Sequence, residues 1–131
     1  ITRQALLDMG VSERAADIIE RVTNRLHDNP DDYQAGMHFI AEDHDAALVK
    51  IADNAHNSLP ERVRALAEKW PDKPPVTKYR DARPVLYAAV DVEEVRKILA
   101  RVNPWLLKEL DDRLDDEDDT DYENLTYDDA P

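Results

Sequence analysis

Apolar residues return along this chain at intervals of three and four, and no stretch alternates strictly over the length of a strand, so the pattern predicts helices throughout. Thr2 caps a short helix reaching Met9, which Gly10 ends by taking the left-handed conformation that suits a helix C-terminus. Ser12 caps a second helix with Ala15, Ile18, Ile19, Val22 and Leu26 on one face. Asn29-Pro30-Asp31-Asp32 reads as a turn, and a third helix then carries Tyr33, Met37 and Ile40. The fourth helix, about Asp45 to Ser58 with Asp45 as its N-cap, is the most apolar in the chain. Pro60 opens a fifth, whose buried stripe is Val63, Leu66, Ala67 and Trp70.

Three prolines between Pro71 and Val76 make that segment the main internal linker. From about Thr77 a helix restarts with Tyr79, Ala82 and Leu86, which Pro84 is expected to kink or interrupt. Asp91 with Glu94 forms a capping box for Val92, Val95, Ile98, Leu99 and Val102. Asn103 caps the last helix, with Pro104 at its first position and Trp105, Leu107, Leu110 and Leu114 as its apolar residues. The expected fold is all-α, a bundle of about six to eight helices over residues 1–110.

Charge divides the chain unevenly. Of the formal −13, residues 111–131 carry −10, with 11 acidic side chains against Arg113, and the body is left near −3. With Leu114, Tyr122, Leu125 and Tyr127 as scattered apolar points, this segment is expected to be a disordered acidic tail. It serves as a solubilising tail or as a docking tail for a basic protein partner, including the chain's own edge around Lys73, Lys78, Arg80 and Arg83. Direct nucleic-acid binding is excluded for want of a basic stripe. No apolar run is long enough to span a membrane and no signal pattern opens the chain, which points to a soluble, cytoplasmic protein. The chain has no cysteine, and its two glycines, Gly10 and Gly36, cannot form a phosphate-cradling loop.

The fourth helix has two faces. Leu48, Ile51, Ala52, Ala55 and Leu59 share one side, and Lys50, Asp53 and Asn57 cluster opposite. From periodicity alone this is a core helix with a solvated polar face. The string from Ala47 through Lys50, Asp53, His56 and Asn57 to Ser58 nevertheless resembles the last metal-binding helix of HD-superfamily phosphohydrolases, closest to the RelA/SpoT-type alarmone hydrolase branch. The likeness runs from Ile1 to Leu86, with the specific motif around Asp53.

That resemblance implies an HD-domain-like fold and a metal-dependent phosphohydrolase acting on a nucleotide, with a guanosine alarmone as the leading substrate. It makes Asp53 the final aspartate ligand of a divalent metal, manganese in this branch, and hence the catalytic position. Asn57 is placed in the nucleotide pocket and Lys50 near phosphate. Carboxylate and imidazole ligands suit such a metal, which makes hydroxide available near neutral pH. The family's first histidine and its His-Asp pair precede the helix that Thr2 to Met9 resembles, so this chain holds one ligand of four and is expected to be inactive as it stands. The alternative is a non-catalytic binding or regulatory module, antitoxin-like or inhibitor-like, whose acidic tail engages a basic partner.

His38, His44, Asp45 and Asp53 do not make a second site, because Asp45 and Asp53 on one helix lie about 12 Å apart along its axis. His44 reads as a surface residue before the helix, with Glu42, Asp43 and Asp45 as a capping cluster, and His27 closes the second helix. His56 faces either a pocket rim or the next helix. Trp70 and Trp105 are expected in the core. Ser12 is a cap, and Ser58 and Thr23 lack the partners of a nucleophile.

Overall fold

The computed structural model describes residues 2–23 and 30–114. Among them lie eight helices and no strand: α1 (Arg3–Asp8), α2 (Glu13–Val22), α3 (Pro30–Ala41), α4 (His44–Asn57), α5 (Pro60–Lys69), α6 (Val76–Tyr87), α7 (Val92–Val102) and α8 (105–114). The fold is therefore an all-α bundle. No helix of the described residues is long and apolar enough to cross a membrane.

Local chemistry sets most of the boundaries. Thr2 Oγ1 accepts from Ala5 N and Ser12 Oγ from Ala15 N, as N-caps do. Gly10 has φ +92°, a conformation that other residues resist. Asp91 and Glu94 form the expected capping box. Asp43, not Asp45, caps α4, accepting from Ala46 N, so that His44 is already helical and Asp45 sits in the first turn beside the positive end of the helix dipole. Pro30 belongs to α3 rather than to a turn, since proline tolerates a first helical position. α2 ends at Val22, and Leu26 and His27 lie outside the described residues.

α4 is the central helix, packed against α2, α3, α5, α6 and α7. Alanine at 46, 47 and 55 keeps its inner side narrow, and these three residues are buried with Ile51. Around them the core gathers Met37 and Ile40 of α3, Leu86 of α6, Val95 and Leu99 of α7, and Leu106 and Leu110 of α8. Burying each Leu, Ile, Met or Val contributes about 1.5–3 kcal/mol.

Several expectations about orientation are corrected. The buried side of α4 includes Asn54, while Leu48, Ala52 and Leu59 are only half-buried. Trp105 is 75% exposed because α8 turns Leu106 and Leu110 inward, one turn apart, and position 105 lies about 100° around the helix. Trp70 is 48% exposed, since α5 has ended before it and its backbone leaves the helical region. α5 itself has no buried residue, so Val63, Leu66 and Ala67 form only a half-buried stripe, with α4 as its main neighbour.

Pro84 does not interrupt α6. It removes the N–H that would bond the carbonyl of Arg80. On either side of that carbonyl, amide side chains donate inward: Asn54 Nδ2 to Tyr79 O (2.9 Å) and Gln34 Nε2 to Asp81 O (3.1 Å). α6 is thus fastened to α4 and α3 around the position where its own ladder is weakest. Residues 111–114, expected in the acidic tail, instead continue α8, and the rest of that tail, 115–131, lies outside the described residues.

Candidate functional site

The polar face of α4 is assembled as the helical spacing requires. Lys50 Nζ donates to Asp53 Oδ2 at 2.9 Å, and Asn57 Nδ2 donates to Asp53 Oδ1 at 3.4 Å. Arg62, one turn into α5, extends the row by donating from Nη2 to Asn57 Oδ1 at 3.3 Å. The three residues singled out from sequence are therefore together. Asp53 is half exposed, whereas Lys50 has only 17% of its side chain exposed.

Two neighbouring helices complete the surroundings. Tyr33 of α3 and Tyr79 of α6 meet at a tilt, ring centroids 6.4 Å apart. Lys78 Nζ stands 4.8 Å from the Tyr33 ring centroid and 5.7 Å from that of Tyr79, a distance at which an aromatic face attracts a cation. Tyr33 is 3% exposed, and among the described residues its hydroxyl has no hydrogen-bond partner.

The electrostatics tie these groups to Asp53. Burial pushes the Tyr33 phenol well above its usual range, and Tyr79 and the Asp53 carboxylate push it further. The Tyr79 phenol is raised by burial and by Asp53, against the opposing charge of Arg62. Lys78 is held below the usual lysine value by burial and by the like charge of Lys50. α3, α4, α5 and α6 thus bring two ammonium groups, a guanidinium, a carboxylate, an amide and two phenols to one region.

Beneath the polar row lies a network that sequence reasoning missed. Arg83, read as part of a basic edge, is 5% exposed. It donates from Nε and Nη2 to the two carboxylate oxygens of Glu109 at 2.7 Å each, the bidentate geometry that guanidinium favours. Its Nη1 donates to Asn54 Oδ1 (3.3 Å) and Ser58 Oγ (3.1 Å), and Ser58 Oγ donates to Asn54 O (2.8 Å). Asn103, expected as a cap through its side chain, is fully buried and donates to Ala55 O at 2.9 Å. The available signal was the four-residue spacing of Asn54 and Ser58 on an otherwise apolar side of α4.

None of the described histidines hydrogen-bonds or ion-pairs with Asp53, whose partners are Lys50 and Asn57. His44 bonds Asp45 (2.9 Å) and Glu94 (3.0 Å), within a surface network in which Arg14 bridges Asp43 and Asp45. His38 and His56 are exposed. Among the described residues no group of three or more His, Asp or Glu side chains is placed to hold a metal ion. Asp53 already faces an ammonium, and a lone carboxylate is no metal site. The residues described do not fit a divalent metal. Two shallow concavities, one along α8 at Trp105, Lys108 and Asp112, the other between α2 and Phe39, lie away from this region.

Comparison of the chain with protein-family models, with curated protein sequences and with solved structures gave no match.

Proposed function

We propose that this chain is the nucleotide-facing part of an HD-superfamily phosphohydrolase of the branch acting on guanosine alarmones, binding the nucleotide without hydrolysing it by its own described residues. The observation that supports this reading is the row Lys50, Asp53, Asn57 and Arg62 along α4 and α5, with Asp53 half exposed to solvent. Asn57 offers an amide that donates and accepts, as recognition of a base or ribose edge requires. Lys50 and Arg62 offset phosphate charge.

Titration of the chain with guanosine tetraphosphate, with and without manganese, tests the reading. Saturable binding that Asn57→Ala weakens tenfold or more, with no phosphate or pyrophosphate release, is the expected result. Absence of binding at millimolar nucleotide overturns it. Manganese-dependent release that disappears in Asp53→Ala would instead make Asp53 a working ligand alongside groups outside the described residues.

The second reading is a binding module for a basic protein, favoured by the concentration of −10 in residues 111–131. Arg96 pairs with Asp111 at 2.7 Å and Lys108 with Asp112 at 3.0 Å, so the start of that segment is engaged with the bundle. Deleting 115–131 is therefore the clean test, and unchanged partner binding after the deletion would end this reading.

A further inference from the structure

Cations in much of the described bundle are matched by a carboxylate, among them Arg3, Arg14, Arg83, Arg96 and Arg113. The turn after α5 and the opening of α6 are different. Residues 69–80 hold Lys69, Lys73, Lys78 and Arg80 against Asp72, a formal +3 in a chain of −13. Lys69, Lys73 and Arg80 are exposed. Among the described residues Lys69 and Lys73 make no ion pair, and Arg80 reaches its chain neighbour Asp81 at 3.5 Å. Between these cations stand exposed apolar groups, Trp70 and Val76, and Lys69 Nζ lies 4.6 Å from the Trp70 ring centroid. A surface that mixes unmatched positive charge with an indole open to solvent fits an acidic peptide that also carries apolar side chains.

The chain contains such a peptide. Residues 115–131 carry nine carboxylates and no Lys or Arg, with Tyr122, Leu125 and Tyr127 among them. Position favours it as well. α8 keeps step with α6, Glu109 meeting Arg83 and Arg113 standing 5.7 Å from the Tyr87 ring centroid, so the described chain ends beside the C-terminal end of α6. From Tyr87 back to Val76 is about 17 Å along the helix axis. Six extended residues span about 20 Å, so the carboxylate run reaches the opening of α6 with chain to spare.

We propose that residues 115–131 dock on the surface formed by Lys69, Trp70, Lys73, Val76 and Arg80 of their own chain. The carboxylates neutralise the cations, and the tyrosines and Leu125 cover the indole. Arg83, expected on this edge from the sequence, takes no part, because its guanidinium is buried against Glu109. A single exposed ion pair contributes little. A tethered segment, however, is presented at an effective concentration of about millimolar, so contacts too weak to hold a free peptide suffice. The proposal rests on neither reading of function above, but it sets a condition on the second: a basic partner has to displace these carboxylates from the chain's own surface.

The chain has no cysteine, so Thr120→Cys in the full chain gives a single point for attaching a nitroxide within the carboxylate run. The label is expected to broaden the amide NMR signals of residues 69–80 at about 10 mM salt and to release them at about 1 M, as the Debye length falls from about 30 Å to about 3 Å. Lys69→Glu combined with Lys73→Glu should abolish that broadening with helical content unchanged by circular dichroism. Lys97→Glu combined with Arg101→Glu, which changes exposed cations of α7 that also make no ion pair among the described residues, should leave it as it was. Broadening no stronger over 69–80 than over the rest of the surface, or strongest around Lys97 and Arg101, overturns the proposal. So does broadening that appears when a labelled chain is mixed with an unlabelled, isotope-enriched one, since the segment would then dock on a second copy.

Discussion

Arg83 shows how much one residue can govern in this bundle. Its guanidinium is spent on four acceptor atoms from two other helices, the two carboxylate oxygens of Glu109 on α8, Asn54 on α4 and Ser58 at the C-cap of α4. Removing Glu109 leaves that charge buried and unpaired, so Glu109→Leu should cost about 3–5 kcal/mol in urea unfolding. Arg83→Leu should cost less, about 3 kcal/mol, because the Glu109 it strands is 32% exposed and can be hydrated. Equal losses in the two variants would show that shape rather than charge sets the cost. Arg83 acts on the site as a positioning residue, since Asn54 and Ser58 each follow a member of the polar row, Asp53 and Asn57, by one position.

His44 carries a pH signature at the same scale. Hydrogen bonds to Glu94 and then Asp45 raise its pKa above 6.5, and the same bonds lower Asp45 and Glu94. The stabilisation from His44 is complete below 6.5 and is lost as pH rises through the raised value. From the carboxylate side it is present above their usual range and is lost as pH falls, with Asp43, bonded to Arg14, drawn down to about 2. Between these limits, from the ordinary glutamate value of 4.5 to 6.5, the network contributes most. An NMR titration should place the His44 midpoint above 6.5, and His44→Gln should flatten the fall in stability on the alkaline side of it.

Elements were more readable from the sequence than orientations. Thr2, Ser12 and Asp91 were identified as caps because a cap involves its own next turn, and Gly10 because its backbone conformation is a local demand. Asp91→Ala should therefore cost about 1 kcal/mol, seen as a lower thermal midpoint, through loss of the capping box alone. Rotation of a helix about its axis is a tertiary decision, and there the pattern failed: Trp105 and Leu107 competed with Leu106 for the inside of α8, and Leu106 went in. The polar row of the site was readable, since Lys50, Asp53 and Asn57 lie on one helix at helical spacing. Tyr33, Lys78 and Arg62 were not, because they reach that row only through the packing of α3, α5 and α6 on α4.

At the scale of the molecule the site is a small positive region within a chain of formal charge −13. Nine carboxylates belong to residues 115–131. Their field reaches across the domain when the Debye length is about 30 Å, near 10 mM salt, and is cut off when it is about 8 Å, near 0.15 M. If the proposed nucleotide binds at Lys50, Asn57 and Arg62, deleting 115–131 should therefore tighten its binding several-fold at low salt and change it less than twofold at physiological salt. An equal gain at both would mean direct occupation of the site by the acidic segment rather than repulsion at a distance.

The link from Arg83 to Glu109 also sets an order of assembly. A chain made from its N-terminus completes α4, with Lys50, Asp53 and Asn57 in place, well before residue 109 has been added. Until α8 arrives, Arg83 has no carboxylate to neutralise it, and the C-terminal half of α4 lacks its anchor. The helix that carries the polar row is made early and secured late, so a nascent chain holds Lys50, Asp53 and Asn57 in their final setting only once α8 has packed.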